Sequence, residues 1–336
     1  MNEIKTTCHY STNPELIKYI NVKQFESYGL DNSVEIVEPD GLDNGIVEPF
    51  IGNNDLLKLC GLKYSRCYDI RPLNYENFTQ IDTILNTVIT PNDIVITNPP
   101  YMAKNKMSTE MKLKYSSLLT KGIEDTYQIF INQLINVGVK GGLIVVPINF
   151  IVGNHGRKLY EKFKNVYDIE VLNIFEKQIF DNTTQAVVSI LFHNSNLKKS
   201  IKPLIHLFKE NEEILIDNDE FIEFENYFKN DCDIDLSINY NTKLKPTHIT
   251  INLIDLKMYA EYCEPFLNKQ SDRTRICICS SVNLENEHEI INKFNDELNK
   301  FRTKTHSLTL SSYREFSRKR LTIKQAILLL KYCICN

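Results

Sequence analysis

Long apolar runs are missing from this sequence of 336 residues. No stretch approaches the roughly 20 consecutive apolar residues that a membrane-spanning helix needs, so we expect a soluble protein with no membrane partner. The segment Met1 to Lys5 (MNEIK) lacks the basic start and apolar core of a secretory signal. A cytoplasmic location is therefore expected.

Metal-binding and disulfide patterns are missing as well. The nine cysteines include no C-x-x-C pair, and the closest spacings are Cys277 with Cys279 and Cys333 with Cys335. Such spacings suit neither a zinc knuckle nor a secreted disulfide framework. The seven histidines form no H-E-x-x-H arrangement. We therefore expect reduced thiols, most of them buried as small apolar groups, and no metal site.

The net charge of −4 conceals an uneven distribution of charge. Residues 300–336 carry nine Lys and Arg side chains against Glu315, which gives +8 there and leaves −12 for the rest of the chain. From Glu210 to Asp235 there are eleven acidic residues and one lysine, Lys229. A compact basic segment indicates nucleic-acid binding, because clustered cations neutralise phosphates. The alternative is a solvated helix face beside an acidic loop.

Short β-rich runs alternate with helical stretches between Gly45 and Phe192, which is typical of a parallel sheet covered by helices. Apolar residues of the longer predicted helix recur at helical spacing and are expected in the core. The predicted strands are Gly45–Glu48, Ser65–Ile70, Asp93–Thr97, Gly142–Pro147, Glu170–Phe175 and Ala186–Phe192, and the predicted helices are Asn54–Cys60 and Thr126–Val137.

The composition shifts to Lys, Glu and Asn beyond Asn194, and the alternation of strands and helices fades. A chain of this length is also at the upper limit of what one core organises. We therefore predict two domains, an α/β domain over residues 1–199 and a smaller α+β domain over residues 200–336. The second ends in a predicted helix, 321–334, whose apolar face is formed by Ile323, Ala326, Ile327, Leu330 and Ile334.

The motif N-P-P-Y at residues 98–101 directly follows the apolar run 93–97. It is therefore expected at the carboxyl end of a parallel strand, where open α/β sheets bind ligands. The Asn98 side-chain oxygen and the Pro99 carbonyl can accept hydrogen bonds from both hydrogens of an exocyclic amino group, which favours attack of its nitrogen on a methyl group. Two prolines stiffen the loop, and Tyr101 offers a ring for an extruded base. The motif alone also occurs as a simple turn after a strand.

Two upstream features have the spacing of a nucleoside-binding site. A turn containing Gly52 follows the strand that ends at Glu48 and precedes a helix, where backbone groups can contact a cofactor. Asp69 lies 17 residues after Gly52 and ends the next predicted strand. An acid in that position suits the diol of a ribose.

In this order the motifs resemble those of adenine-specific (N6) DNA methyltransferases of restriction-modification systems with the gamma-type motif order. Residues 48–57 (EPFIGNNDLL) are similar to E-P-F-A-G-N-G-D-L-L, residues 82–85 (DTIL) to D-T-L-L, and residues 96–106 (ITNPPYMAKNK) to I-T-N-P-P-Y-L-A-R-N-K. Residues 180–188 (FDNTTQAVV) resemble the later motif whose aromatic residue packs against the flipped base, and residues 313–320 also have counterparts. The resemblance covers most of the chain.

The resemblance implies a Rossmann-like, S-adenosylmethionine-dependent methyltransferase domain at residues 1–199 and a DNA target-recognition domain at residues 200–336. The implied reaction moves a methyl group from S-adenosylmethionine to N6 of an adenine flipped out of duplex DNA. The implied partners are double-stranded DNA and, in a complete restriction-modification system, a cognate restriction endonuclease that acts on the same site.

The resemblance also assigns roles to individual residues. The catalytic residues would be Asn98, Pro99, Pro100 and Tyr101, the cofactor-binding residues Glu48, Pro49, Phe50, Gly52, Asp69 and Asp82, the base-stacking residues Tyr101 and Phe180, and the DNA-binding residues Arg314, Arg318, Lys319 and Arg320. One departure is Asn54, where the family has a second glycine. Asparagine tolerates positive φ, so we expect the turn to persist with some loss of cofactor affinity.

Other interpretations stay open at this point. The same loop serves methylation of RNA adenines and of protein glutamine side chains, although a glutamine-methylating enzyme does not need the basic C-terminal segment. A catalytically silent DNA-binding subunit would have lost the cofactor site, for which Asn54 is the only hint. Phe180 could also be an ordinary core residue.

Overall fold

The computed structural model describes residues 45–56, 66–153, 156–180, 185–196, 202–237, 245–254, 258–262, 275–280, 284–312 and 318–336. The chain divides into two compact units, Met1–Ile216 and Asp217–Asn336. No helix in the described ranges is long and apolar enough to cross a membrane.

A mixed sheet of nine strands runs through the described part of the first unit, in the order β3-β2-β1-β4-β5-β7-β6-β8-β9. Strands β1 to β5 are mutually parallel, whereas β7 lies antiparallel between β5 and β6. The strands are β1 (Ile46–Glu48), β2 (Arg66–Asp69), β3 (Phe78–Gln80), β4 (Ile94–Thr97), β5 (Gly141–Pro147), β6 (Tyr167–Phe175), β7 (Val187–Asn194), β8 (Leu204–Phe208) and β9 (Glu213–Ile216).

The six predicted strands correspond to β1, β2, β4, β5, β6 and β7. Every residue of β1, β4 and β5 is buried, as expected for central strands covered on both faces. The central strands are parallel, as expected, but β6 and β7 form an antiparallel pair that places β7 beside β5. Strands β3, β8 and β9 were not predicted.

The described helices of the first unit are α1 (Thr109–Lys114), α2 (Thr126–Val137), α3 (Asn149–Val152) and α4 (Arg157–Lys164). Helix α2 has the predicted bounds and buries its apolar stripe, including Tyr127, Phe130 and Leu134. It ends at Gly138, whose φ of 69° is the left-handed conformation common after a helix. Of the predicted helix Asn54–Cys60, only Asp55 and Leu56 are helical within the described residues, and 57–60 lie outside them.

The chain order creates a switch point between β1 and β4. The chain runs outward from β1 to β2 and β3, and then returns to β4 on the other side of β1. In open α/β sheets the crevice at the carboxyl ends of such strands is where ligands bind. Glu48, Asp69 and Thr97 are the last residues of β1, β2 and β4, so the predicted motifs lie along this edge.

The first unit ends later than the boundary expected at residues 199 and 200. Strand β8 pairs with β6, and β9 pairs with β8, so both extend the first sheet. The polar residues that suggested a boundary near residue 199 lie mostly before β8 and between β8 and β9, whereas the strands themselves are LIHLF and EILI.

The second unit is α+β. Its four-stranded sheet has the order β10-β13-β11-β12, with β10 (Leu236–Ser237), β11 (Lys245–Asn252), β12 (Tyr259–Tyr262) and β13 (Arg275–Ser280). A separate two-stranded pair comprises β14 (Ser311–Ser312) and β15 (Lys319–Arg320), and the described helices are α5 (Phe224–Tyr227), α6 (Glu287–Lys304) and α7 (Ile323–Cys335). These elements surround an apolar core of their own.

Helix α7 corresponds to the predicted C-terminal helix. A capping box joins Thr322 and Gln325 at its start. Its buried apolar side chains are Ala326, Leu329, Leu330 and Cys333, whereas Ile323 is 44% exposed. The predicted apolar face is therefore confirmed for Ala326, Ile327, Leu330 and Ile334, which are buried or pack against the core, and is wrong for Ile323.

A disulfide joins Cys232 to Cys335, with their Cα atoms 5.9 Å apart. The expectation that all thiols are reduced is wrong for this pair. The two cysteines are 103 residues apart, so local spacing could not reveal the pairing. Among the described cysteines, Cys67, Cys277 and Cys333 carry reduced thiol groups.

Candidate active site

The N-P-P-Y loop leaves the carboxyl end of β4 with Asn98 and Pro99 buried. The Tyr101 hydroxyl lies 2.5 Å from Asn98 Oδ1 and 2.8 Å from the carbonyl oxygen of Val145 in β5. A hydroxyl has one proton, so it donates to one of these oxygens at a time. When it donates to Asn98, the carboxamide oxygen still has a second lone pair for another donor.

Tyr101 and Phe180, the two predicted base-stacking residues, lie side by side. Their ring centroids are 6.3 Å apart at an interplanar angle of 69°. Tyr101 is 7% exposed and Phe180 is 1% exposed. A base could therefore stack on either ring only after neighbouring side chains move. Residues 181–184 of the same motif lie outside the described residues.

Glu48 is buried at the end of β1. Burial is the main cause that raises the pKa of its carboxyl to about 8, and the nearby Asp69 charge acts in the same direction. The nearby Thr97 side chain and the hydrogen bond from the Phe50 N–H oppose this rise. The Phe50 N–H donates to Glu48 Oε1 over 3.4 Å, so the cofactor-motif turn folds back onto the acid.

The turn after β1 also reaches Asp69 at the end of β2. The Gly52 N–H donates to Asp69 Oδ2 over 3.0 Å. Gly52 has a φ of 53° and Asn54 a φ of 59°, so the asparagine adopts the left-handed conformation expected of the motif glycine. The Asn54 N–H donates to the Ile51 carbonyl over 2.7 Å, which closes the turn.

Arg71 neutralises Asp69. The Arg71 N–H and Nε donate to Asp69 Oδ1 over 2.9 and 3.1 Å. Burial raises the pKa of Asp69, but the hydrogen bonds and charge of Arg71, together with the Gly52 N–H, lower it below its ordinary value. Asp69 is therefore held as a carboxylate. Arg71 was not predicted, although its place two residues after a strand-ending acid was a visible signal.

Asp82 lies just beyond β3 and is contacted by the end of α1. Asp82 Oδ2 accepts from Lys114 Nζ over 2.6 Å and from the Tyr115 hydroxyl over 3.0 Å, and its Oδ1 accepts from the Ile84 N–H over 3.1 Å. The next residue, Thr83, donates its hydroxyl to the Pro49 carbonyl over 3.0 Å. The D-T-I-L segment is thereby tied to the turn after β1. No feature of the sequence pointed to Lys114 or Tyr115.

The side chain of Phe50 packs on helix α2. Its ring meets that of Phe130 edge to face, with centroids 4.9 Å apart. Helix α2 also reaches the D-T-I-L segment, because Gln133 Nε2 donates to the Ile84 carbonyl over 2.9 Å. Helix α2 thus contacts both the turn after β1 and the D-T-I-L segment.

The predicted DNA-binding residues belong to the second unit. Arg314 lies outside the described residues, and Arg318 and Arg320 are half-buried. Lys319 is 3% exposed, so a phosphate contact by Lys319 does not fit the structure. The reason is its place in β15, where alternate side chains point to opposite sides and that of Lys319 points inward.

The strand order β3-β2-β1-β4-β5-β7-β6, with the antiparallel β7 beside β5, is that of a Rossmann-like α/β fold. The family model of the Eco57I restriction-modification methylase matches residues 70–180. The predicted resemblance to restriction-modification methyltransferases is thereby confirmed.

One curated relative is the Type II methyltransferase M.BanIII of Aneurinibacillus aneurinilyticus, which is 24% identical over 192 residues. The match covers 55% of this chain but 30% of that protein. This chain therefore corresponds to a limited part of its relative.

Two solved structures are similar to this chain at low sequence identity. The DrdV–DNA complex is 13% identical with a TM-score of 0.45, and the match covers 75% of this chain and 36% of that chain. A type I restriction-modification methyltransferase subunit of Streptococcus thermophilus is 15% identical with a TM-score of 0.39, covering 62% of this chain and 50% of that chain.

Proposed function

We propose that this chain methylates N6 of a flipped-out adenine at a specific site in duplex DNA, as the modification enzyme of a restriction-modification system. The observation that carries the proposal is the position of the Asn98 and Pro99 acceptors at the carboxyl end of β4, on the same sheet edge as Glu48 and Asp69. An enzyme of this kind would protect DNA from an endonuclease that acts on the same site.

S-adenosylmethionine is the cofactor that these residues fit, and it would supply an electrophilic methyl group when bound. Glu48, when ionised, would balance the positive charge of such a ligand. Asp69, kept ionised by Arg71, would accept from ribose hydroxyls, and Asp82 would accept from the adenine amino group. Asn54 Oδ1 is buried without a hydrogen-bond partner among the described residues, so it offers a further acceptor at the same turn.

The residues of the catalytic loop would act as fixed acceptors. Asn98 Oδ1 and the Pro99 carbonyl would take the two amino hydrogens, which concentrates the nitrogen lone pair for attack. The Tyr101 hydroxyl bonds to Asn98 Oδ1 and so orients the carboxamide with its oxygen as the acceptor. Preorganised polar groups of this kind are effective because they need no rearrangement during the reaction.

DNA would be held in part by the basic C-terminal segment. The support is the charge of +8 over residues 300–336, where Arg314, Arg318 and Arg320 remain candidates for phosphate or base contacts. Tyr101 and Phe180 would stack on the extruded base once the site opens.

The test of this function is Asn98→Ala, with Asn105→Ala as the matched control because Asn105 is an exposed asparagine in the following turn. We expect methyl transfer to DNA to fall on the order of 100- to 1000-fold in Asn98→Ala. Calorimetry should show unchanged S-adenosylmethionine affinity, and Asn105→Ala should behave as the parent. Near-parental turnover in Asn98→Ala would reject the catalytic assignment, and a parent protein that binds no cofactor would identify a silent subunit.

A further inference from the structure

The first turn of α2 is hydrogen-bonded to the catalytic loop on both sides of Tyr101. The Thr126 hydroxyl donates to the Pro100 carbonyl over 2.6 Å and accepts from the Met102 N–H over 2.9 Å. One buried hydroxyl therefore ties both peptide groups that flank Tyr101. A hydroxyl can do this because it is one donor and two acceptors at once.

The residue before Thr126 adds a second set of contacts. Asp125 Oδ1, at the N-cap of α2, accepts from the same Met102 N–H over 3.0 Å. The backbones are joined as well, because the Thr126 N–H donates to the Met102 carbonyl over 3.2 Å and the Lys104 N–H donates to the Glu124 carbonyl over 2.7 Å. The loop is thus fastened to the start of a long, buried helix.

These contacts reach Asn98 through Tyr101. Fixing the backbone of Tyr101 fixes the direction of its side chain, and its hydroxyl bonds to Asn98 Oδ1. The other partner of that hydroxyl, the Val145 carbonyl, belongs to the buried strand β5. The position of the Asn98 carboxamide therefore depends on both α2 and β5.

We infer that Thr126 and Asp125 are positioning residues, which place the Asn98 acceptor by holding the peptide groups around Tyr101. The inference rests on the proposed function for its catalytic consequence, but the structural link stands on the contacts alone. Burial raises the pKa of Asp125 to about 7. Both protonation states keep an acceptor oxygen for the Met102 N–H, so the link does not require the charge.

Thr126→Val tests the hydroxyl because valine has nearly the same shape. Misplacing a reacting group by about 1 Å can cost about 100-fold in rate, so we expect kcat to fall about 10- to 100-fold. The Kd for S-adenosylmethionine and the KM for DNA should each change by less than about twofold, because the acids that would bind the cofactor lie elsewhere. Thr126→Ser should restore most of kcat.

The control is Thr109→Val, since Thr109 is also the first residue of a helix but is exposed. It should keep parental kcat. At the N-cap, Asp125→Asn retains an acceptor oxygen, so its kcat should stay close to that of the parent. Asp125→Ala retains none, so its kcat should fall as it does in Thr126→Val. A parental kcat in a folded Thr126→Val protein would overturn the inference. So would an equal loss in Thr126→Ser, or a loss that appears only as weaker cofactor binding.

Hydrogen exchange separates this inference from the proposed function. In Thr126→Val the amide of Met102 should exchange faster than in the parent and in Thr126→Ser, whatever reaction the protein performs. If the parent methylates no DNA but this difference in exchange is present, the proposed function fails and the positioning role holds. If the parent is active and exchange at Met102 is unchanged in Thr126→Val, the positioning role fails.

Discussion

Glu48 is a buried acid that is largely protonated at neutral pH, because burial raises its pKa to about 8. A carboxyl whose folded-state pKa lies above the ordinary 4.5 favours folding in its protonated form. Its contribution to the free energy of unfolding therefore falls as pH rises from 4.5 towards 8. A cationic ligand reverses this preference, since it favours the ionised acid.

The affinity of the protein for S-adenosylmethionine should therefore increase as pH rises from 6.5 to about 8 and level off above the pKa of Glu48, because binding releases a proton. Titration calorimetry in buffers with different ionisation enthalpies measures that proton directly. The matched variant is Glu48→Gln, which cannot ionise and should show only the titration of the ligand's own amino group. If the affinity of the parent and that of Glu48→Gln change with pH in the same way, the ionisation of Glu48 is not coupled to binding of the ligand.

Single residues also show where sequence reasoning ends. Asp69 and Asp82 could be identified from motifs, and Arg71 lies only two residues after Asp69, but Lys114 and Tyr115 could not be identified, because their contacts depend on how a distant segment folds back in space. Lys319 was misassigned for a related reason: net charge does not tell which side of a short strand a lysine faces.

At the scale of elements, β4 and β5 approach closely at Gly142. Gly142 has a φ of 153°, and a Cβ atom there would collide with the backbone of Val95 in β4. Strand β4 carries the catalytic loop, so this close approach supports the site directly.

Gly142→Ala should destabilise the first unit, because either the strands separate or the backbone shifts. We expect a loss of at least about 1 to 3 kcal/mol in the free energy of unfolding, as for other overpacked positions. The control is Gly122→Ala, because Gly122 has a φ of 92° but nothing within 4 Å of its virtual Cβ. Chemical denaturation compares the two. Equal losses would attribute the effect to backbone strain alone and contradict the role of close packing.

Elements were predictable where burial dictated their composition. The apolar runs of β1, β4 and β5, and the stripe of α2, follow directly from placement between covered faces. Strand β3 was missed because its three residues are half-buried or exposed at the edge. The predicted face of α7 was right for Ala326 and Leu330, which are buried, but it included the exposed Ile323 and missed Leu329 and Cys333, because the packing of the second unit, rather than hydropathy alone, selects the core residues.

At the scale of the whole molecule, the excess of positive charge in residues 300–336 predicts salt-sensitive DNA binding. If Arg318 or Arg320 contacts a phosphate, its change to alanine should weaken binding on every sequence and reduce the salt slope by about one unit. If either reads a guanine edge, the loss should be about 1 to 3 kcal/mol and confined to the cognate site.

Binding titrations at two salt concentrations, on cognate and scrambled duplexes, distinguish these outcomes. Lys158→Ala is the control, because it removes one exposed positive charge from the first unit. Unchanged DNA binding in Arg318→Ala and Arg320→Ala, with a lowered melting temperature, would show that these arginines stabilise the second unit instead.

The most direct test of the central claim is to map modified bases in the DNA of cells that express the parent chain or Asn98→Ala. The account predicts N6-methyladenine at one recurring sequence in cells with the parent protein, and its loss in cells with Asn98→Ala. Methylation confined to RNA or protein, modification of a base other than adenine, or adenine methylation that persists in Asn98→Ala would contradict it.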